Sequence, residues 1–408
     1  MKTDLDQLMA ARDLQAIVVV GDELYSAERD YLSNGARITG GLVIKRRGTA
    51  LVLVVNAMEI DEARRSGLPA ISWNELGWAQ LLEECGGDRD RTQVGMWQRA
   101  LQRLDVPQGR VGIYGTAAAH RLIELLPELQ DLEGYEFCGE RGMTLLDEAA
   151  MTRDADELQR IRRVAAGTNA TLRATWEFIA GHRAVQDVVC DAQGVALTIG
   201  ALRRFVRRTL LDYDLEDTGM ILAQGRDAGF PHSRGQDDQP LRCGQTLVFD
   251  LFPREYGGGY YHDVTRTWCP GHVPDEIADV HETVSRAFEV ALEAWSEPGQ
   301  PARELQEAVL DFLEDAGHPT LRSDPGVEVG YVHSLGHGLG MAIHERPSLS
   351  HTSDDLLQVG NVVSIEPGLY YPERGFGLRL EDTMTIDESG ALVALTDFHK
   401  RLLLPLQG

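Results

Sequence analysis

Leu247-Val-Phe-Asp-Leu-Phe-Pro-Arg-Glu-Tyr-Gly-Gly-Gly-Tyr-Tyr-His-Asp-Val-Thr-Arg-Thr267 reads as two strands, Leu247–Leu251 and Tyr260–Thr267, joined by an enlarged hairpin loop from Pro253 to Gly259. Each strand carries one aspartate, Asp250 and Asp263, thirteen positions apart. Side chains alternate across a strand, so an antiparallel pair can present both carboxylates on one face. Three later segments bring further groups of the same kind: Gly-His337-Gly-Leu-Gly, Ile-Glu366-Pro-Gly and Arg379-Leu-Glu381-Asp. Glu366 and Glu381 are expected on strands over Val362–Glu366 and Gly377–Ile386. A sheet fixes side-chain directions better than a loop, which suits a site built from distant segments.

Asp250, Asp263, Glu366 and Glu381 with a neutral His337 balance the charge of two divalent cations. Without cations, four converging carboxylates would repel and at least one pKa would have to rise. Oxygen ligands with one imidazole suit Mn, Co or Zn, and the lack of cysteine ligands argues against a structural zinc site. Two such ions can share a water and activate it, so hydrolysis is the expected chemistry. Taken singly each segment has an ordinary reading: Asp263 as a turn acid paired with Arg266, Glu366 as a strand end, His337 as an incidental member of a glycine loop. That loop lacks the Lys-Ser/Thr ending of a phosphate loop and does not fit GxGxxG in register.

In their order, the five segments resemble the pita-bread metallopeptidase family, which includes methionine aminopeptidases, aminopeptidases P, prolidases and the metal-free creatinases. The likeness covers roughly Thr152 to Pro405 and extends more weakly over residues 1–145. It implies that Asp250 chelates one metal, Asp263 and Glu381 bridge, and His337 and Glu366 complete the second. Glu366 is then the general base. His344 matches a histidine at the scissile bond, and His232 one against the substrate carbonyl or in proton transfer. His333 matches a histidine of the proline-specific branch, and Arg379 an arginine that fixes the site. Thr265, with Thr267, is expected to support the ligands by hydrogen bonds. The Asp250–Asp263 separation is longer than the family commonly shows, which bears on the loop's shape rather than on ligation.

With 408 residues, two domains are expected. The implied arrangement is an α/β N-terminal domain over 1–146 and an α+β pita-bread catalytic domain over 152–408, with a curved, mainly antiparallel sheet. In the first, Ala16–Val20 and Arg110–Tyr114 read as strands, Gly41–Ile44 and Ala50–Val55 as a hairpin, and Glu59–Ser66, Trp73–Glu84 and Ala117–Leu126 as helices. Asp154-Ala-Asp-Glu157 is an N-cap box opening a long helix, whose core face is Leu158, Ile161, Ala165, Leu172, Trp176 and Ile179. Further helices are expected near Leu197–Leu211, Asp275–Trp295 and Ala302–Ala316. Arg203-Arg204 and Arg207-Arg208 read as a solvated or subunit-contacting helical face.

A net charge of −25 argues against nucleic acid and anionic membranes as partners. No apolar stretch is long enough for a transmembrane helix. Five scattered cysteines without CxxC spacing read as reduced thiols in a cytoplasmic protein. The expected reaction is hydrolysis of the Xaa-Pro bond of dipeptides by a homodimer. Aminopeptidase P activity on longer Xaa-Pro peptides is the alternative, and a catalytically silent metal-binding scaffold a third reading. The long N-terminal domain counts against a methionine aminopeptidase, and the complete ligand set against a creatinase. A dipeptidase gains from a cation at the proline carboxylate, best an arginine. Arg37 and Arg46 are the N-terminal candidates, beside an ordinary reading as exposed turn arginines, while His333, His344, Tyr331 and Arg379 are candidates for the proline slot.

Overall fold

The structure is a computed structural model describing residues 2–21 and 25–407. Contacts divide the chain into two compact units, Met1–Ala150 together with Gly257–Gly259, and Met151–Tyr256 with Tyr260–Gly408.

The N-terminal unit holds a six-stranded mixed sheet in the order Ala70–Ser72, Leu51–Val55, Leu42–Arg46, Leu14–Gly21, Gly109–Thr116, Tyr135–Cys138. The apolar run Ile17–Val20 is central and buried, antiparallel to Leu42–Arg46 and parallel to Gly109–Thr116. The helices Leu5–Ala11, Ala27–Leu32 and Leu145–Ala150 and the strands Ala70–Ser72 and Tyr135–Cys138 have no counterpart in the sequence reading, and two further elements depart from it. Trp73–Gly77 forms turns, so the helix begins only at Trp78, with Gly77 at φ +78° in the left-handed region that favours glycine. Arg89–Arg103, rich in charge, is a helix capped by Asp88, and it buries Val94, Trp97 and Leu101 in the core.

In the second unit the helix Ala155–Ala180 starts at the capping box: Asp154 accepts from the Glu157 N–H at 2.9 Å, and Glu157 accepts from the Asp154 N–H at 2.8 Å. Ile161, Ala165, Leu172 and Ile179 are buried along its inner face. This helix and Ile199–Leu211 pack on a four-stranded sheet in the order Ile221–Gln224, Leu247–Leu251, Val264–Pro270, Leu403–Leu404. Helices Asp275–Glu293 and Ala302–Asp315 pack on a five-stranded sheet in the order Glu345–Leu349, Gly336–Gly338, Val362–Ile365, Asp382–Ile386, Leu392–Ala394. All these ladders are antiparallel except Leu403–Leu404 on Val264–Pro270. The single strand expected over Gly377–Ile386 is two. Phe376–Arg379 pairs with Gly368–Tyr371 and Asp382–Ile386 with Val362–Ile365, with a break at Leu380 and Glu381. Arg203 is not solvated: it is buried, pairing with Asp237 and donating to the Arg234 carbonyl.

Candidate metal centre

The hairpin register sets Asp250 opposite Thr265. Asp263, two residues before Thr265, therefore shares the face of Asp250. Asp263 is tied to the neighbouring sheet, since its N–H donates to Thr383 Oγ1 at 3.1 Å and the Thr383 hydroxyl donates to the Asp263 carbonyl at 2.7 Å. Glu381 occupies the strand break, its N–H donating to the Thr265 carbonyl at 3.0 Å. Glu366 leaves the strand Val362–Ile365 and donates its N–H to the Leu335 carbonyl at 2.8 Å. The glycines beside His337 serve close backbone approach. A Cβ at Gly336 would lie 2.0 Å from the Ser364 carbonyl oxygen, and one at Gly338 2.1 Å from that of Arg346.

Asp263, His337 and Glu381 each offer a ligand atom within 4.8 Å of the others. His337 Nε2 is 3.4 Å from Glu366 Oε1 and 3.7 Å from Asp263 Oδ2. His337 Nδ1 contacts the Gly338 carbonyl at 3.0 Å. A carbonyl only accepts, so Nδ1 carries the proton and the Nε2 lone pair faces the carboxylates. Asp250 Oδ2 accepts from Arg379 Nη2 at 2.6 Å. Asp250 Oδ1, Asp263 Oδ1 and Glu381 Oε1 are buried with no hydrogen-bond partner among the described residues. Three such oxygens in one place are costly unless a cation satisfies them.

The electrostatics point the same way. Burial, then the Asp250 and Glu366 carboxylates, push the Asp263 pKa well up; burial, Asp263, Glu366 and Asp250 do the same to Glu381. Glu366 rises to about 7 through burial, with Arg379 opposing and Asp250 adding to the rise. Burial lowers the pKa of His337, keeping it neutral. These carboxyls cannot all ionise together unless positive charge enters, so the donor set fits divalent cations.

The remaining residues surround this core. The Thr265 hydroxyl donates to Glu381 Oε2 at 2.7 Å and accepts from Arg379 Nε at 3.0 Å. Arg379 also donates to the Tyr370 hydroxyl at 2.7 Å, which meets His333 Nε2 at 2.9 Å. The His344 ring stands edge-on to His337 with centroids 4.4 Å apart. His232 is exposed and lies near enough to act electrostatically on His333, His344 and Glu366. Tyr331 is fully buried, its hydroxyl turned to Gln306. In the N-terminal unit Arg37 is exposed, and Arg46 donates to the Leu104 carbonyl at 3.4 Å. Sequence reasoning missed Tyr370 and Ser364. The Ser364 hydroxyl donates to Glu366 Oε1 at 3.2 Å and accepts the His337 N–H at 3.1 Å. Its place two residues before Glu366, in the segment read from sequence as one strand, was the available signal.

A sheet-borne cluster of acids around one imidazole fits the donor set of a metallohydrolase. The profile of metallopeptidase family M24 matches residues 159–388, and the chain belongs to that family. The chain is 28% identical over 346 residues to a probable dipeptidase PepE of Mycobacterium bovis, spanning 84% of each. It is 36% identical over 186 residues to a Xaa-Pro dipeptidase of Pyrococcus furiosus, spanning 45% of this chain and 48% of that one. The X-Pro aminopeptidase structure from Thermotoga maritima superposes with a TM-score of 0.75 at 19% identity, over 99% of each chain, which establishes the pita-bread fold. Among the described residues, no helix is long and apolar enough to cross a membrane.

Proposed function

We propose that this peptidase is a dinuclear-metal Xaa-Pro dipeptidase. The carrying observation is the convergence of Asp263, His337, Glu381 and Glu366 beside Asp250, with three buried carboxylate oxygens lacking a partner among the described residues. The relatives named as dipeptidases support the substrate class. Asp250, Asp263, His337, Glu366 and Glu381 would together hold the two divalent ions. Bound there, divalent ions would supply Lewis-acid chemistry, lowering the pKa of a water and polarising the carbonyl under attack. Mn is the first candidate, with Co or Zn as alternatives.

The chain's own groups do the rest. Glu366 takes the proton of the attacking water, a task open to a carboxylate placed within the ligand cluster beside His337. His344 and His232 contact the substrate at the scissile bond, and His333 borders the proline ring through the Tyr370 hydroxyl. Arg379 keeps its positive charge among Tyr370, Asp250 and Glu366, and so orients Asp250. The bond before proline has no N–H to donate, so recognition rests on ring shape and on what meets the proline carboxylate. Arg37 or Arg46 supplies that cation, from its own subunit or from a partner in a homodimer. A reduced cytoplasmic environment suits the five free cysteines.

The test is the rate on Xaa-Pro against Xaa-Pro-Xaa, with Arg37→Ala and Arg46→Ala alongside. Faster dipeptide cleavage, lost selectively in one of the two variants, is expected. Faster tripeptide cleavage favours the aminopeptidase reading, and no cleavage of either with added Mn, Co or Zn favours a silent scaffold.

A further inference from the structure

We infer that Arg153 and Glu345 form a positioning pair that sets where the His344 imidazole stands, an inference resting on the substrate role proposed above for that histidine. Arg153 is 4% exposed and immediately precedes the N-cap Asp154. Its backbone is fixed by its N–H, which donates to the Gly360 carbonyl at 2.8 Å. Its Nη2 donates to the Leu339 carbonyl at 3.2 Å and pairs with the Glu345 carboxylate. Leu339 begins the loop that follows His337, and Glu345 directly follows His344. One guanidinium thus ties both ends of the segment carrying the ring.

The segment is closed by further bonds to the same pair. Glu345 Oε1 accepts from the Ala342 N–H at 2.7 Å, and the Gly340 N–H donates to the Ala342 carbonyl at 3.1 Å. A Cβ at Gly340 would fall 2.0 Å from Arg153 Nη2 and 2.7 Å from Glu345 Oε2, so the glycine leaves the space in which the ion pair sits. His344 itself is exposed, and no hydrogen bond among the described residues holds its ring. Its place 4.4 Å from His337 therefore depends on the loop beneath it. Arg153 is buried and Glu345 partly so, and such a pair adds little net stability over apolar residues of similar size, so the role assigned to it is geometric.

The test compares wild type, Arg153→Met, Arg153→Lys and Gly340→Ala, each alone and with His344→Ala. Metal content, turnover of a Xaa-Pro dipeptide and the His344 imidazole proton resonance are measured, the last in protein loaded with diamagnetic Zn and assigned by its loss in His344→Ala. Arg153→Met and Gly340→Ala should shift or broaden that resonance while leaving metal content at the wild-type level, and Arg153→Lys should restore it in part. In the same variants kcat/KM should fall between about tenfold and a hundredfold, the range expected for a slightly misplaced group. In the His344→Ala background the further loss should be less than about twofold, because the two changes act through one group. An unmoved resonance overturns the inference whether or not the protein turns over substrate. So does a full loss that persists without His344. A wild-type protein that cleaves nothing overturns the functional reading instead, and the resonance still decides the positioning pair.

Discussion

Replacing Glu366 with Gln removes one ionisable acid from the metal-free centre, and with it the repulsion that Glu366 adds at Asp263 and Glu381, which acts in the same direction. Burial raises the Glu366 pKa from 4.5 to about 7 in the folded, metal-free protein. Between those values the folded chain keeps a proton that the unfolded chain has lost. Its contribution is therefore neutral at low pH and becomes destabilising as pH rises, complete above about 7. The rise corresponds to roughly 3 kcal/mol at full ionisation. Most of it falls between about pH 5 and pH 8, where the variant should gain roughly 2–3 kcal/mol on wild type. His262 and His333, lowered to about 3 by burial, act in the opposite sense, because the unfolded chain protonates first as pH falls. They are common to both proteins and cancel in the difference. The assay is urea unfolding by circular dichroism in chelator across that pH range. Saturating Mn should reverse the ranking, since the variant has lost a ligand. A difference independent of pH in metal-free protein would mean that Glu366 titrates alike in the folded and unfolded chains.

Thr265→Val removes the hydroxyl between Glu381 and Arg379 at constant volume. It should weaken metal affinity roughly ten- to a hundredfold, read by competition with a chelator. Metal binding near neutral pH should release protons from Asp263, Glu366 and Glu381, whose metal-free pKa values are all raised. Calorimetry in buffers of different ionisation enthalpy measures that release, and none would contradict the assigned burial. Asp154→Ala removes the cap of the helix Ala155–Ala180 and should cost about 1 kcal/mol in urea unfolding.

Much of the catalytic unit was legible because its signals are local. The capping box at Asp154 and Glu157, and the alternation through Leu247–Leu251, each lie within a few residues. The break at Leu380 and Glu381 was not legible. Alternation continues through it, and only the change of pairing partner from Gly368–Tyr371 to Val362–Ile365 separates the strands. That break is what lets Glu381 reach the Asp263 strand. Tyr370 was passed over because its role comes from Arg379 and His333, which only the folded chain brings to it. Arg203 was misread for a related reason: its partners, Asp237 and the Arg234 carbonyl, lie outside its helix. The helix Arg89–Arg103 was obscured by its charges, although Val94, Trp97 and Leu101 carry helical spacing and Asp88 precedes them as a cap.

The most direct measurement is hydrolysis of a Xaa-Pro dipeptide by chelator-treated protein before and after adding Mn, with metal bound per chain counted in parallel. Without metal there should be no turnover, with recovery as the second equivalent binds, and Asp263→Asn should show neither recovery nor full loading. Turnover that survives complete metal removal, or full loading of Asp263→Asn with activity intact, would contradict a dinuclear metal centre.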